Sequence, residues 1–159
     1  AQKANPLYES YKNNFETFNA ITPGKTLASA IQIGDPVSVE KAIKSLKEFD
    51  GIVEQASEDE LANAAALADK TGMYSCPHTG VALAVLLKLV ENNTIPKDAR
   101  TIVISTAHGL KFSEFKVGYH EKTLPEVNSQ YANEPLLIEP DADKVREILH
   151  KELKIRNNL

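Results

Sequence analysis

The sequence contains one cysteine, Cys76, so no disulfide bond can form within the chain. Such sparse cysteine is typical of a reducing compartment. Basic residues are not in excess either, and the net charge of −4 argues against a nucleic-acid-binding surface. The longest apolar run, residues 81–90, contains Lys88 and is too short to span a bilayer. These absences argue against disulfide scaffolds, nucleic-acid binders and membrane-spanning proteins.

Several functional motifs are also missing. The sequence has no G-x-G-x-x-G pattern and no P-loop lysine motif, which excludes the common dinucleotide and P-loop nucleotide sites. The four histidines and the cysteine are scattered without the spacing of zinc ligands, so no metal site is predicted. The first residues lack the basic and then apolar pattern of a signal peptide. Because the chain does not begin with methionine, we expect a processed chain or a fragment of a longer one.

The composition is that of one globular domain with an α/β pattern. Its 159 residues, 42% of them hydrophobic and 25% charged, are enough for a sizeable core. Short apolar segments alternate with amphipathic ones, which predicts three layers: a largely parallel sheet with helices on both faces. Strands are predicted at residues 28–33, 51–54, 73–75, 101–104 and 136–138. Helices are predicted over residues 6–18, after Ser38, from the Ser57 capping box to Gly72, over 81–90 after a Thr79 cap, over 115–120, and after Asp141 with Val145, Ile148 and Leu149 facing inward.

Residues 101–112 are the strongest candidate for a functional site. A β-branched run ends there in Ser-Thr-Ala-His-Gly, and ligands of open α/β sheets bind at the carboxyl ends of strands. The hydroxyls of Ser105 and Thr106 could bind a ring nitrogen or an acceptor oxygen, or could bond their own turn. His108 is either an acid–base group or a packing residue bonded to backbone. Lys111 could bind phosphate or, if desolvated, form a Schiff base, although a solvated lysine is the commoner arrangement.

Two further clusters place polar residues at the ends of predicted elements. In Cys-Pro-His-Thr-Gly, residues 76–80, the backbone N–H groups of a helix start favour an anion near His78 and Thr79, and a simple cap by Thr79 is the alternative. Cys76 is predicted to be a packed small apolar residue rather than a nucleophile. Cys76 and His78 are two positions apart and would not face each other on a helix, which argues against a Cys-His dyad. The strand over 28–33 ends at Gly34, which permits close approach of a flat ligand or a tight turn.

Taken together, three motifs resemble the threonine synthases, most of all the plant-type enzymes. They are ASAIQIGDPVS at 28–38, GMYSCPHTGVAL at 72–83 and STAHGLKF at 105–112, in the order found in the carboxyl-terminal part of that family. The resemblance covers residues 1–120. It implies the fold-type II, tryptophan-synthase-β-like class of pyridoxal-phosphate enzymes and the conversion of O-phosphohomoserine and water to threonine and phosphate. On this basis we expect a helical segment (1–24), a portion of the large cofactor domain (25–112) and a C-terminal α/β extension (113–159).

The resemblance also implies which residues form the site. The implied cofactor-binding residues are Ile33, Gly34, Ser105, Thr106 and His108. The Thr106 hydroxyl would face the pyridine nitrogen, and a neutral partner does not hold that nitrogen protonated as a carboxylate would. His78 and Thr79 match the helix start that closes the far side of the pocket, where the substrate lies.

The groups that hold the cofactor in this family have no counterpart in the sequence. These are the Schiff-base lysine, the asparagine beside the ring and the glycine-rich phosphate loop; Lys111 is a family position but not that lysine. We therefore expect a carboxyl-terminal third, inactive alone, that forms a homodimer or pairs with the missing amino-terminal part. The resemblance adds S-adenosylmethionine as an effector, and either the bacterial cytoplasm or the plastid stroma as the compartment.

Two alternatives stay open from the sequence. The first is a non-catalytic α/β module that acts through protein contacts or small-molecule binding, and the missing lysine motivates it. The second is a hydrolase that uses Cys76 or Ser105, for which the sequence offers no assembled triad.

Overall fold

The computed structural model describes residues 1–153, in which six α-helices and two short 3-10 turns are present. The helices are α1 (Pro6–Lys12), α2 (Val39–Glu48), α3 (Glu58–Asp69), α4 (Pro77–Glu91), α5 (Ser113–His120) and α6 (Ala142–Glu152). The 3-10 turns are Ser29–Ile31 and Gly109–Phe112. Residues 154–159 of the predicted C-terminal extension lie outside the described residues, and the three-segment division stays a prediction.

The start of α3 follows directly from its sequence. Ser57 Oγ accepts a hydrogen bond from the N–H of Glu60 (3.2 Å), and Glu60 Oε2 accepts one from the N–H of Ser57 (2.7 Å), which confirms the predicted capping box. The helix ends at Asp69, and Gly72 then adopts the predicted left-handed conformation, with φ +89°. Asp141 caps α6 through two backbone N–H groups, also as predicted.

Helix α4 begins earlier than predicted, and its cap is a different residue. Pro77 occupies the first helical position, where the missing N–H of proline leaves no bond unmade. The residue before it, Cys76, is the N-cap: its Sγ accepts a hydrogen bond from the N–H of Thr79 at 3.4 Å. The predicted cap by Thr79 is therefore wrong, because Thr79 lies inside the first turn and its N–H is the group being capped.

The core lies between α3 and α4. The inner face of α3 is rich in alanine, and Leu61, Ala62 and Ala65 are fully buried there. Gly80 lets the two helices approach closely, since a Cβ at this position would lie 2.4 Å from the carbonyl oxygen of Leu61. Burial of this apolar surface fixes the position of the polar cluster at the start of α4.

The predicted parallel sheet is not present within residues 1–153. Strand-like pairing there is limited to an isolated antiparallel bridge between Ser75 and His108. A strand needs a neighbour to satisfy its backbone and cover its side chains, and Ile102 and Ile104 are 91% and 76% exposed. None of the five predicted strands forms a ladder: residues 28–33, 51–54, 101–104 and 136–138 make no bridge, and 73–75 contributes only the single bridge of Ser75. The sheet is thus not confirmed in the part of the chain that is described.

The outer helices are only partly covered. Helix α1 is shorter than predicted because Asn14 and Phe15 adopt left-handed φ angles of 56° and 57°, which end a right-handed helix. In α6, Val145 and Ile148 are half-buried and Leu149 is exposed, so its predicted inward face is incompletely packed.

Up to residue 153, no helix combines the length and the apolar composition needed to cross a membrane.

Candidate functional site

Four side chains from two segments form a polar group that we call the hydroxyl cluster: Cys76, Thr79, Ser105 and Thr106. Thr79 lies at its centre, with its Oγ1 3.2 Å from Ser105 Oγ and 3.2 Å from Cys76 Sγ. The same oxygen accepts a hydrogen bond from the N–H of Thr106 at 3.4 Å. Thr79 is 1% exposed and Cys76 is fully buried, whereas Ser105 and Thr106 are exposed. The cluster therefore presents two hydroxyls to solvent from a buried support.

His78 joins the other predicted motifs to this cluster. Its Nε2 accepts a hydrogen bond from the N–H of Ala30 at 2.9 Å, so the neutral ring carries its proton on Nδ1. Phe112 packs against the same ring at an angle, with the two ring centroids 5.0 Å apart. The fold thus brings together one residue from each of the three motifs, although they are far apart in the sequence.

His108 and Gly109 form the turn beside the cluster. His108 Nδ1 accepts a hydrogen bond from the N–H of Leu110 (3.2 Å) and so caps the 3-10 turn. The N–H of Gly109 donates to the carbonyl of Tyr74 (2.8 Å), and a Cβ at Gly109 would lie 2.7 Å from the Tyr74 ring. His108 is therefore bonded to backbone, which was one of its two predicted arrangements. A role of His108 toward a cofactor stays a prediction. Lys111, in the same turn, is exposed.

Ile33 and Gly34 lie in a different environment. Gly34 is buried, its carbonyl accepts from the N–H of Ile21 (3.0 Å), and a Cβ on it would lie 1.9 Å from the Ile21 carbonyl oxygen. The close approach that this glycine permits is therefore to the chain's own backbone. Ile33 is partly exposed and lines a cavity of about 240 Å³ together with Pro6 and Val53. Placing these two residues at the cofactor stays a prediction.

Sequence reasoning missed a buried ion pair behind the 3-10 turn at residues 109–112. Lys116 pairs with Asp69, and the lysine side chain is only 3% exposed. Asp69 Oδ1 also accepts a hydrogen bond from the N–H of Ser75 (3.0 Å), and the ammonium lies 4.8 Å from the centroid of the Tyr74 ring. The pair joins α5 to the end of α3 and anchors the segment that leads into α4. The available signal was a lysine on the otherwise apolar inner face of α5.

The surroundings of Ser105 suit binding rather than nucleophilic catalysis by its hydroxyl. A serine nucleophile needs an adjacent base, but Ser105 Oγ contacts the Thr79 hydroxyl, and His78 uses its Nε2 for a backbone N–H. The described residues contain no group of three or more His, Cys, Asp or Glu side chains placed to hold a metal ion. Exposed neutral hydroxyls are instead suited to a ring nitrogen or another neutral polar atom.

We expect the Cys76 thiol to ionise at a much lower pH than an ordinary thiol. Burial disfavours the thiolate, but hydrogen bonds from Thr79, His78 and Thr106 outweigh burial and lower its pKa from 9.0 to about 6. Because the pKa is lower in the folded state, ionisation stabilises the fold; this contribution is fully present above pH 9.0 and is lost as the pH falls through about 6. Titration of the ultraviolet thiolate absorbance measures this directly, because the chain has one cysteine.

The control for this titration is Cys76→Ser, which removes the absorbance change. A midpoint near 9.0 in the unmodified chain would contradict the hydrogen bonds to the sulfur.

The expectation that Cys76 and His78 do not face each other holds for two residues inside a helix. Cys76 lies outside α4, at its N-cap, so that argument does not apply to it.

Comparison with known proteins identifies the family to which the chain belongs. Residues 1–107 match the family described as pyridoxal-phosphate dependent enzyme, and the chain therefore belongs to that family. The chain is 50% identical over 155 residues to Threonine synthase 2, chloroplastic, of Arabidopsis thaliana, a match that covers 97% of this chain and 30% of that protein. It is 31% identical over 154 residues to the threonine synthase of Methanocaldococcus jannaschii, covering 96% of this chain and 35% of that protein.

These matches confirm the resemblance to threonine synthases, and they also define its extent. The chain spans about a third of the length of the curated relatives that it matches. The family is one of pyridoxal-phosphate dependent enzymes, so the cofactor prediction is confirmed at the level of the family.

Proposed function

We propose that this chain is a carboxyl-terminal part of a threonine synthase and supplies the ring-nitrogen side of its pyridoxal phosphate site. The reaction would be the conversion of O-phosphohomoserine and water to threonine and phosphate. The observation that carries this proposal is the pair of exposed hydroxyls, Ser105 and Thr106, held by buried Thr79 in a chain 50% identical to a threonine synthase.

The donor set of the hydroxyl cluster fits one edge of the cofactor. Pyridoxal phosphate, when bound, withdraws electrons from the reacting carbon atoms of an amino-acid substrate. A hydroxyl can donate a hydrogen bond to the ring nitrogen without contributing a charge. Thr106 is the residue that we assign to this contact, with Ser105 and His108 beside it. His78 would stand on the substrate side in this assignment, with buried Thr79 supporting the hydroxyls from behind, and Ile33 and Gly34 would lie near the ring.

The chain is expected to be inactive alone. The sequence offers no match for the lysine that holds the cofactor or for the glycine-rich phosphate loop, and the relatives are about three times as long. We propose that these groups come from the rest of a complete enzyme, or from a partner that supplies them.

The same partner would complete the sheet. Residues 101–104 are β-branched, lead into the hydroxyl cluster and leave Ile102 and Ile104 uncovered, which supports strand pairing with a segment from elsewhere. The three-layer, largely parallel sheet is thus a property that we propose for the complete enzyme. Homodimer formation and S-adenosylmethionine as an effector are proposed with it. A chloroplastic relative supports the plastid stroma over the bacterial cytoplasm.

The test is a chimera in which this chain replaces the matched segment of the Arabidopsis protein. We expect the chimera to bind pyridoxal phosphate and to release phosphate and threonine from O-phosphohomoserine, while the chain alone does neither. The readouts are the visible absorbance of the bound cofactor, an inorganic phosphate assay and detection of threonine. The unaltered Arabidopsis protein is the positive control.

Three outcomes count against the proposal. A folded chimera that binds no cofactor would remove the assignment of the ring-nitrogen side. A chimera that binds cofactor but releases no phosphate from O-phosphohomoserine would favour a different reaction. If the chain alone binds a small molecule or a protein while the chimera is inactive, the non-catalytic module becomes the better interpretation.

A further inference from the structure

We propose that Thr79 is a positioning residue, whose Oγ1 holds the hydroxyls of Ser105 and Thr106 in the orientation that receives the ring nitrogen of the cofactor. This inference rests on the proposed function. In this inference Thr79 lies behind Ser105 and Thr106 on the ring-nitrogen side of the site. The family resemblance instead implies that Thr79 closes the far side of the pocket.

Burial separates Thr79 from the two hydroxyls that it supports. With 1% of its surface exposed, Thr79 has no surface to offer a ligand, whereas Ser105 and Thr106 are exposed beside it. Thr79 is fixed in the first turn of α4, which the Gly80 contact holds against α3. Its oxygen is thus a rigid point, and the exposed segment at 105–106 is bound to it through one backbone and one side-chain contact.

The hydrogen-bonding capacity of the Thr79 hydroxyl is filled by its partners. A hydroxyl has one proton and two lone pairs, and Thr79 Oγ1 contacts Cys76 Sγ, Ser105 Oγ and the N–H of Thr106. If the sulfur accepts the single proton of Thr79, the two lone pairs accept from Thr106 N–H and from the Ser105 hydroxyl. Ser105 then turns its own proton inward and offers lone pairs outward.

The remaining proton for the ring nitrogen is that of Thr106. Its Oγ1 lies 3.8 Å from Cys76 Sγ, a weak contact from which the hydroxyl can rotate outward. With the proton of Thr79 on the sulfur, the cluster has a defined polarity: Thr106 donates outward and Ser105 accepts. Removing the Thr79 hydroxyl would free the hydroxyls of Ser105 and Thr106 to change orientation, while both remain in the chain.

The first experiment uses the 159-residue chain and does not depend on a cofactor. We compare Thr79→Val, which removes the hydroxyl at similar size, with Thr79→Ser, which keeps it. We expect amide hydrogen exchange at Thr106 to be about tenfold faster in the valine variant, because the acceptor of that N–H is lost, and unchanged in the serine variant. Thr79→Ala replaces the valine variant if circular dichroism shows that valine prevents folding.

The second experiment places the same variants in the chimera. We expect Thr79→Val to raise the Kd for pyridoxal phosphate about tenfold, since the loss of one ordered hydrogen bond is of that size. We also expect it to shift the pH midpoint of the bound cofactor's absorbance. Thr79→Ser should restore both values, which a general loss of stability would not do.

The outcomes separate this inference from the function on which it rests. Equal Thr106 exchange in the valine and serine variants, or an equal Kd and pH midpoint in the chimera, would overturn the positioning role. An unmutated chimera that binds no cofactor would refute the proposed function and, with it, the orientation toward a ring nitrogen. A valine-specific exchange increase together with a serine-rescued Kd would support the inference.

Discussion

Replacing Lys116 with methionine is expected to lower the free energy of unfolding by about 3–5 kcal/mol, the usual cost of removing one partner from a buried ion pair. Methionine fills a similar volume, so the loss would come mainly from charge. Asp69 would be left as a carboxylate with 14% of its side chain exposed and no cation beside it. Urea unfolding followed by circular dichroism measures the change.

A matched control is available on the surface. Lys144 pairs with Glu139, but both side chains are more than half exposed, so Lys144→Met should change stability by less than about 1 kcal/mol. A double variant, Lys116→Met with Asp69→Asn, should cost less than the sum of the single changes, because neither buried charge is then left alone. Similar losses for Lys116→Met and Lys144→Met would show that the buried pair has no special weight.

The loss should also reach the candidate site. Asp69 accepts the N–H of Ser75, and Ser75 forms the bridge to His108 at the turn beside the hydroxyl cluster. Breaking the ion pair would therefore loosen both segments that carry the cluster. The Lys116–Asp69 pair contains no residue of the hydroxyl cluster, yet it holds the segments that position the cluster.

Local signals in the sequence predicted the helices well. The Ser57 capping box, the cap at Asp141 and the left-handed Gly72 each depend on residues within a few positions, and each is confirmed. The sequence prediction assigned the cap of α4 to Thr79 because threonine is a common N-cap residue, whereas the cap is Cys76 and cysteine is rare at this position. Local preference could not show that a sulfur occupies the capping position.

Features that need distant partners were not predictable in the same way. The apolar pattern at residues 101–104 is that of a strand, but pairing depends on a neighbour that the described residues do not supply. The Lys116–Asp69 pair and the central position of Thr79 arise from contacts across the fold. Sequence spacing brought Ser105 and Thr106 to attention, and only the packing of α4 beside them revealed their support.

Replacing Thr106 with valine in the chimera is expected to lower kcat by about five- to a hundredfold. The valine would leave the ring nitrogen facing an apolar group, and an unsatisfied polar atom in a closed site costs about 1–3 kcal/mol, at about 1.4 kcal/mol for each factor of ten. Thr106→Ser keeps the hydroxyl and should retain most of the activity. Steady-state phosphate release from O-phosphohomoserine measures the difference.

The fold should tolerate both Thr106 variants, because Thr106 is exposed and an exposed substitution changes stability by about 0.5 kcal/mol or less. In the isolated chain, unfolding curves for Thr106→Val and Thr106→Ser should therefore coincide with that of the unmodified chain. This separates Thr106 from Lys116, whose replacement acts through stability. If the valine and serine variants release phosphate at equal rates, the ring nitrogen does not depend on this hydroxyl, and Ser105, the other exposed hydroxyl of the cluster, becomes the residue to replace.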